Sequence, residues 1–454
     1  MSLWCQYRRY RFFRVFRDFA SHFIAETFPL SWLYRFARGF SCSLFPVPSS
    51  PPQIRIYLQP KGRLSLKAGI VSINLHTGRL NYGAVLHSWM FQRLMARRGD
   101  MARCEILDYL PEAKRQFNPW THFIRQKRKN PAKLLGAMLI TPGFVLRYRR
   151  FQQFFKAQLQ VSDRCYSRQD LEEMALPYDL IFFESDVIWS PNYFRGSFDP
   201  VFFGATAGLR PIPKIAYSAS MGEAKLTEAQ KDELRALLKL PEHISMRERY
   251  ASAIVRTLTD KPVADVVDPV LLAEPGDFDP ITAPRQVRGK YLLAYYTVNP
   301  DPYMLRCVDD YAKAHGLKVV EVSIFTHHKL KHRTFTAAGI EQFLSLVRNA
   351  EAVFSNSLHG TCLSILYHRE FYAMEHGKGG RKYRDLCEKF GLSDRCLPKD
   401  QFAPAAPIDW DRVDALREQY RAESLAWLDG AIKAVQSSRG RDCDGGAMRS
   451  GEEI

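Results

Sequence analysis

Short apolar runs alternate with longer amphipathic stretches along most of this 454-residue chain. The runs are Ala68–Ile73, Cys104–Leu107, Leu180–Phe183, Lys214–Ser218, His243–Ser245 and Val263–Val267, followed by Tyr291–Tyr296, Lys318–Val322, Ala352–Ser355 and Phe371–Met374. Runs this short and this apolar are strands buried on both faces. Helical periodicity covers Ala84–Arg98, Glu228–Leu240, a segment opening at Arg247–Arg249, Tyr303–His315, Ile340–Asn349, Leu358–His368, Tyr383–Phe390 and Trp410–Val435. Strands separated by helices imply parallel sheets with right-handed crossovers. A proline-marked stretch from Gly276 to Pro284 divides the series. The expected fold class is therefore α/β, with one Rossmann-like domain over residues 53–275 and a second over 276–436. Two such units leave a cleft where two substrates can meet.

Both ends fall outside this pattern. Residues 1–52 form an appendage in which arginines alternate with Phe12, Phe13, Phe16, Phe19, Phe23, Trp32 and Phe36, closed by the linker Ser49–Pro52. Two readings stand: a helix lying on an anionic membrane surface through residues 1–50, or a helix packed on the body with a solvated basic face. Arg8, Arg9, Arg11, Arg14 and Arg17 interrupt any secretory h-region, and no stretch is apolar enough to span a bilayer. A cytoplasmic protein is expected, peripheral on the inner face of the plasma membrane if the appendage binds lipid. Residues 437–454 are polar and are expected to be a disordered tail.

The net charge of +17 asks for an acidic partner. Residues 113–150 form a basic insertion without a single acid. No nucleic-acid motif accompanies it, so a solvated or membrane-facing surface is expected and no nucleic-acid partner. The nine cysteines are scattered and make no Cys-x-x-Cys pair, which fits reduced thiols. No metal is expected. His327, His328 and His332 cluster without a carboxylate or cysteine beside them and read as an exposed polar loop.

The richest motif is Ser355-Asn356-Ser357-Leu358-His359-Gly360-Thr361, a strand, a tight turn and a helix start. Unpaired N–H groups at a helix start favour an anion, and Ser357 and His359 sit where it would lie. His359 is a candidate acid/base group; a capping or packing histidine is the alternative. Asn81 and Tyr82 lie in the loop after the first strand, on the sheet edge where open α/β proteins bind ligands.

In order and spacing, these blocks resemble the polysaccharide pyruvyl transferase family. The similarity runs over Lys67 to Arg395. It includes Asn81-Tyr82-Gly83-Ala84-Val85-Leu86, Ser185-Asp186-Val187-Ile188-Trp189, Ala216–Gly222, Ile244–Glu248, Asp268–Leu272 and Ser355–Thr361. The resemblance implies a GT-B-like fold, two Rossmann-type parallel-sheet domains facing a cleft, with the acceptor on the first domain and the donor on the second. It implies transfer from phosphoenolpyruvate to two hydroxyls of a sugar or lipid-linked oligosaccharide, giving a pyruvate ketal in a cell-surface polysaccharide precursor. Phosphoenolpyruvate is a co-substrate; no cofactor is implied. The catalytic positions map to Arg247 and His359, with Leu358 beside the donor. One departure stands out: the family's usual glycine before Ser185 is Glu184, which calls that loop's backbone into question.

The chemistry asks for an anion clamp and an acid/base group. Arg247 can hold phosphate or carboxylate bidentately; pairing with Glu248 alone is the competing reading. The turn Ser357–Thr361, including Gly360, offers N–H donors. The loop Gly377–Lys382, with Lys378 and Arg381, can close over the donor or be a plain surface loop. Asp186 and Trp189 are candidates for the acceptor wall, Trp189 equally for the core. Two other functions fit the same features: a GT-B glycosyltransferase with a sugar-nucleotide donor, and a nonenzymatic binder of anionic polymer or membrane with steep salt dependence.

Overall fold

The computed structural model describes residues 65–76, 80–112, 131–223, 225–323, 332–375, 380–397 and 402–447. The appendage 1–52, Lys378, His327 and His328 lie outside them. The first sheet contains β1 (Leu66–Val71), β2 (Met101–Tyr109), β3 (Val161–Tyr166), β4 (Leu180–Glu184), β5 (Lys214–Ala219), β6 (His243–Met246) and β7 (Val263–Asp265), in the order β3-β2-β1-β4-β5-β6-β7. The second contains β8 (Tyr291–Tyr296), β9 (Lys318–Ser323), β10 (Arg333–Thr334), β11 (Ala352–Ser355), β12 (Glu370–Met374) and β13 (Cys396–Leu397), in the order β10-β9-β8-β11-β12-β13. Every strand pair is parallel. These are two Rossmann-type domains in a GT-B-like arrangement. In each sheet the order reverses beside the first strand, which opens a crevice at the carboxyl ends.

The helices are α1 (Tyr82–Ala96), α2 (Pro131–Gln158), α3 (Arg168–Glu173), α4 (Glu228–Leu237), α5 (Arg249–Arg256), α6 (Pro302–Ala314), α7 (Ile340–Arg348), α8 (Leu358–Leu366), α9 (Arg381–Lys389) and α10 (Trp410–Ala447). One apolar core runs through both domains. Tyr82 of α1 stacks on Phe343 of α7 at 4.2 Å, and its hydroxyl donates to the Ala338 carbonyl at 2.8 Å. Tyr82 is thus an interdomain packing residue, 1 % exposed, with no face left for an acceptor.

Three other expectations change. Helix α2 and strand β3 occupy the region read as a solvated basic insertion and the span after it. Arg147, almost fully buried, donates to the carbonyls of Ser323 and Phe335 and so ties α2 to the second domain. Helix α10 does not end at Val435. The hydroxyls of Ser437 and Ser438 donate back to the Lys433 and Val435 carbonyls, and Arg439 pairs with Asp179, which carries the helix on to Ala447. Nor does α10 belong to the second domain alone. His368 of the second domain stacks on Trp410, but Ser424 accepts from the Val267 N–H, and Arg417 donates to the Ala273 carbonyl.

Candidate active site

Strand β4 delivers Glu184 to the crevice, and the next two residues, Ser185 and Asp186, have left-handed φ of 50° and 51°. Such a conformation costs a non-glycine residue about 1–3 kcal/mol and persists where the surroundings enforce it. Glu184 itself ends the strand with ordinary backbone. Its carboxylate accepts from Ser88 Oγ at 2.7 Å and lies 2.7 Å from His87 Nδ1, both on α1. The departure from glycine therefore leaves the turn intact and creates a buried ion pair.

Beyond β6, Arg247 forks between two carboxylates. Its Nε donates to Glu248 Oε1 and one terminal nitrogen to Asp268 Oδ2, each at 2.8 Å. The pairing with Glu248 does occur, and the second bond goes with it. Ser220 donates to Glu248 and Ser185 to Asp268. From the second domain α8 presents His359, whose Nε2 lies 3.4 Å from Asp268 Oδ2. The rings of His359 and His87 are 5.7 Å apart and nearly parallel. Three buried atoms here have no hydrogen-bond partner: His87 Nε2, His359 Nε2 and Glu248 Oε2. Buried polar atoms without partners are costly, so such a cluster is built to meet a further group.

Gly83 makes the approach of the two domains possible. A Cβ there would lie 1.9 Å from His359 Nδ1, deep inside contact distance. Gly83→Ala is expected to displace the His359 ring, with about 1–3 kcal/mol of overpacking. A crystal structure of the variant with His359 unmoved would refute this.

Burial pulls the His87 imidazole down, but the carboxylates of Glu184 and Asp186 more than offset it and raise it from 6.5 to about 10. Burial pushes Asp186 up, yet His87, Arg247 and His359 hold it at about 2. Asp268 is held far below the carboxylate range by His359 and Arg247, against its burial. Because the folded value of His87 is the higher one, its stabilisation is fully present below pH 6.5 and is lost as pH rises towards 10. His87→Gln should flatten the fall of unfolding free energy over that window by an amount on the order of a few kcal/mol. Unfolding free energies that fall equally steeply with pH in both proteins would rule the pairing out.

Between the domains lies a narrow recess, partly open to solvent, lined by Arg247, Asp268, Leu358, Cys362, Lys382 and Lys389 among others. The Lys382 ammonium is depressed by burial and by the neighbouring Arg247 charge. Against this geometry, the family model for polysaccharide pyruvyl transferase matches residues 81–378. The chain belongs to the polysaccharide pyruvyl transferase family. No curated protein matches it significantly. Among solved structures it is similar to a glycotransferase of kitacinnamycin (12 % identity, 84 % of this chain and 99 % of that one, TM-score 0.41). It is also similar to UDP-N-acetylglucosamine 2-epimerase from Rickettsia bellii (11 %, 82 % and 96 %, 0.38) and to the ADP-heptose heptosyltransferase II of E. coli (11 %, 78 % and 99 %, 0.29). Likeness at this level decides nothing about chemistry.

In this pyruvyl transferase family member, Arg247, His359 and Asp186 lie close enough for their charges to interact, and Leu358 lines the recess. Ser357 occupies the N-cap position of α8 without a capping side-chain bond, and its N–H is taken by Ser355 Oγ at 3.0 Å rather than offered to a ligand. Thr361 Oγ1 donates to the Ser357 carbonyl. A Cβ on Gly360 would meet Ser355 Oγ at 2.5 Å, so this glycine permits helix–strand packing. Asn81 caps α1. Arg381 is exposed, over the Tyr250 ring, outside the recess. Trp189 is fully buried: its indole N–H donates to the Phe202 carbonyl and its rings stack on Phe203 at 4.9 Å. It is core and offers no acceptor wall. Sequence reading missed His87, Glu248, Asp268 and Lys382. Glu248 and Asp268 had a signal in the blocks Ile244–Glu248 and Asp268–Leu272, and Lys382 closed the basic loop Gly377–Lys382, but none was given a role in the site; His87 had no signal.

Proposed function

We propose that this protein transfers the pyruvyl group of phosphoenolpyruvate to two hydroxyls of a sugar in a polysaccharide precursor. The carrying observation is the recess where Arg247 and Lys382 face an apolar wall of Leu358, Val266 and Leu386, with Asp268 and His359 beside it. A small dianion with a methylene group fits such a mixture of paired cations and apolar surface. In the reaction the methylene carbon gains a proton, positive charge builds at the adjoining carbon, and one sugar hydroxyl adds there. The bond from that carbon to the phosphate oxygen breaks, and the second hydroxyl closes the ketal. Two protons leave the hydroxyls; one ends on the new methyl group and one on the released phosphate. His359, paired with Asp268, is the group we assign to moving them, and Arg247 with Lys382 holds the donor. The acceptor enters from the first domain, beside Asp186 and Asn81. A cytoplasmic setting and a membrane contact through residues 1–50 belong to the same proposal.

Calorimetry with phosphoenolpyruvate and with a panel of sugar nucleotides tests it. Saturable binding of phosphoenolpyruvate, with phosphate released only when a diol-bearing sugar is added, is the expected result. Binding of a sugar nucleotide and none of phosphoenolpyruvate would replace this reading with glycosyl transfer. Lys382→Met should weaken donor binding by roughly 10-fold or more, the effect of one lost charge-assisted contact, and an unchanged affinity would remove Lys382 from the clamp.

A further inference from the structure

Three metal-ligating side chains of different chemistry converge far along the first sheet. Asp108 of β2 and Cys165 of β3 are direct register partners, so their side chains leave the sheet on the same side. The loop after β1, the next strand over, adds His76. Ligand atoms of the three lie within 4.8 Å of one another. His76 Nε2 is 2.5 Å from Asp108 Oδ1 and 4.0 Å from Cys165 Sγ. The β2–β3 ladder is irregular between Ile106 and Asp108, and Ser162 Oγ accepts the Asp108 N–H at 2.9 Å there. Irregularities of this kind re-aim side chains beside sites. Cys165 is exposed, and the side chains of His76 and Asp108 are 31 % and 22 % exposed, which leaves an entry path.

We propose that His76, Asp108 and Cys165 form a binding site for a borderline-soft divalent cation of the Zn²⁺ class. An ion–nitrogen bond of about 2.0–2.1 Å, a sulfur bond of about 2.3 Å and a tetrahedral angle place the ligand atoms roughly 3.3–3.7 Å apart. The distances in the cluster bracket that range, so shifts of about 1 Å complete the site. A set of one nitrogen, one oxygen and one sulfur selects Zn²⁺ over Mg²⁺ or Ca²⁺, which take oxygen ligands. Three protein ligands leave the fourth position to water or to an oxygen of a bound molecule, as in sites that act on ligands rather than sites closed for structure. The competing arrangement is a His76–Asp108 ion pair with Cys165 as bystander, and the two differ in what happens at sulfur.

The test is a Co²⁺ titration of the full chain, freed of metal by chelation and followed in the near-ultraviolet and visible. One ion per chain with a thiolate-to-cobalt charge-transfer band is expected, displaced by Zn²⁺. The band should vanish in Cys165→Ser, a conservative change at an exposed position whose fold is checked by circular dichroism. His76→Ala should weaken Co²⁺ binding by at least about 10-fold. Absence of the band in the wild type overturns the proposal. So does a band that persists in Cys165→Ser, which would place the ion on another of the nine cysteines, or an affinity unchanged in His76→Ala.

Discussion

His359→Ala is expected to lower turnover about 10²–10⁴-fold, the range for loss of a positioned acid/base group, while phosphoenolpyruvate affinity stays within a few-fold. The separation of the two effects follows from the geometry. His359 Nε2 faces Asp268 at 3.4 Å and has no hydrogen-bond partner, so a proton on it is available to a third group. Arg247 holds the same Asp268 oxygen at 2.8 Å and keeps that carboxylate paired when the imidazole is gone. The variant also relieves the close approach to Gly83, so no clash is introduced. Steady-state kinetics and calorimetry on one preparation distinguish the outcomes. A variant with full turnover removes His359 from the chemistry; a variant that loses donor binding makes it part of the clamp instead.

The two sheets were readable because buried parallel strands leave unbroken apolar runs, and turns at their ends leave small polar residues. The regions misread were those where burial is achieved by charged side chains. Arg147 looks like surface in a stretch without acids, yet its guanidinium satisfies backbone carbonyls of the other domain and lies 5.3 Å from the Tyr82 ring centre. A sequence window cannot show a carbonyl partner that arrives from a distant strand. Tyr82 was misassigned and Trp189 left open for the converse reason. An aromatic residue in a loop at a strand end can stack on sugar or on its own core, and only the partners Phe203 and Phe343 decide. In the candidate site Arg247 and His359 had motifs around them. His87 did not: it lies mid-helix, and its partner Glu184 is 97 residues away. The His76 cluster was hidden in the same way, by separations of 32 and 89 residues. Glu184 was visible as an oddity, and His87 is its physical explanation.

Arg247→Ala should be the most damaging single change, and in two separable ways. The side chain is 7 % exposed and shares its charge among Glu248, Asp268 and, at longer range, Asp186. Removing it strands buried carboxylates, and breaking a buried pair by deleting one partner costs about 3–5 kcal/mol. Donor binding should vanish as well, because the recess loses its fixed cation. The double variant Arg247→Met with Asp268→Asn distinguishes the two losses. Neutralising the stranded partner should return a large part of the stability, since the pair rather than either member is what burial tolerates. It should return none of the donor binding. Chemical denaturation and phosphoenolpyruvate calorimetry on the wild type, the single variant and the double variant read the two quantities independently. If donor binding recovers together with stability, Arg247 acts only by holding the site folded, and the anion clamp must be sought at Lys382 and Lys389.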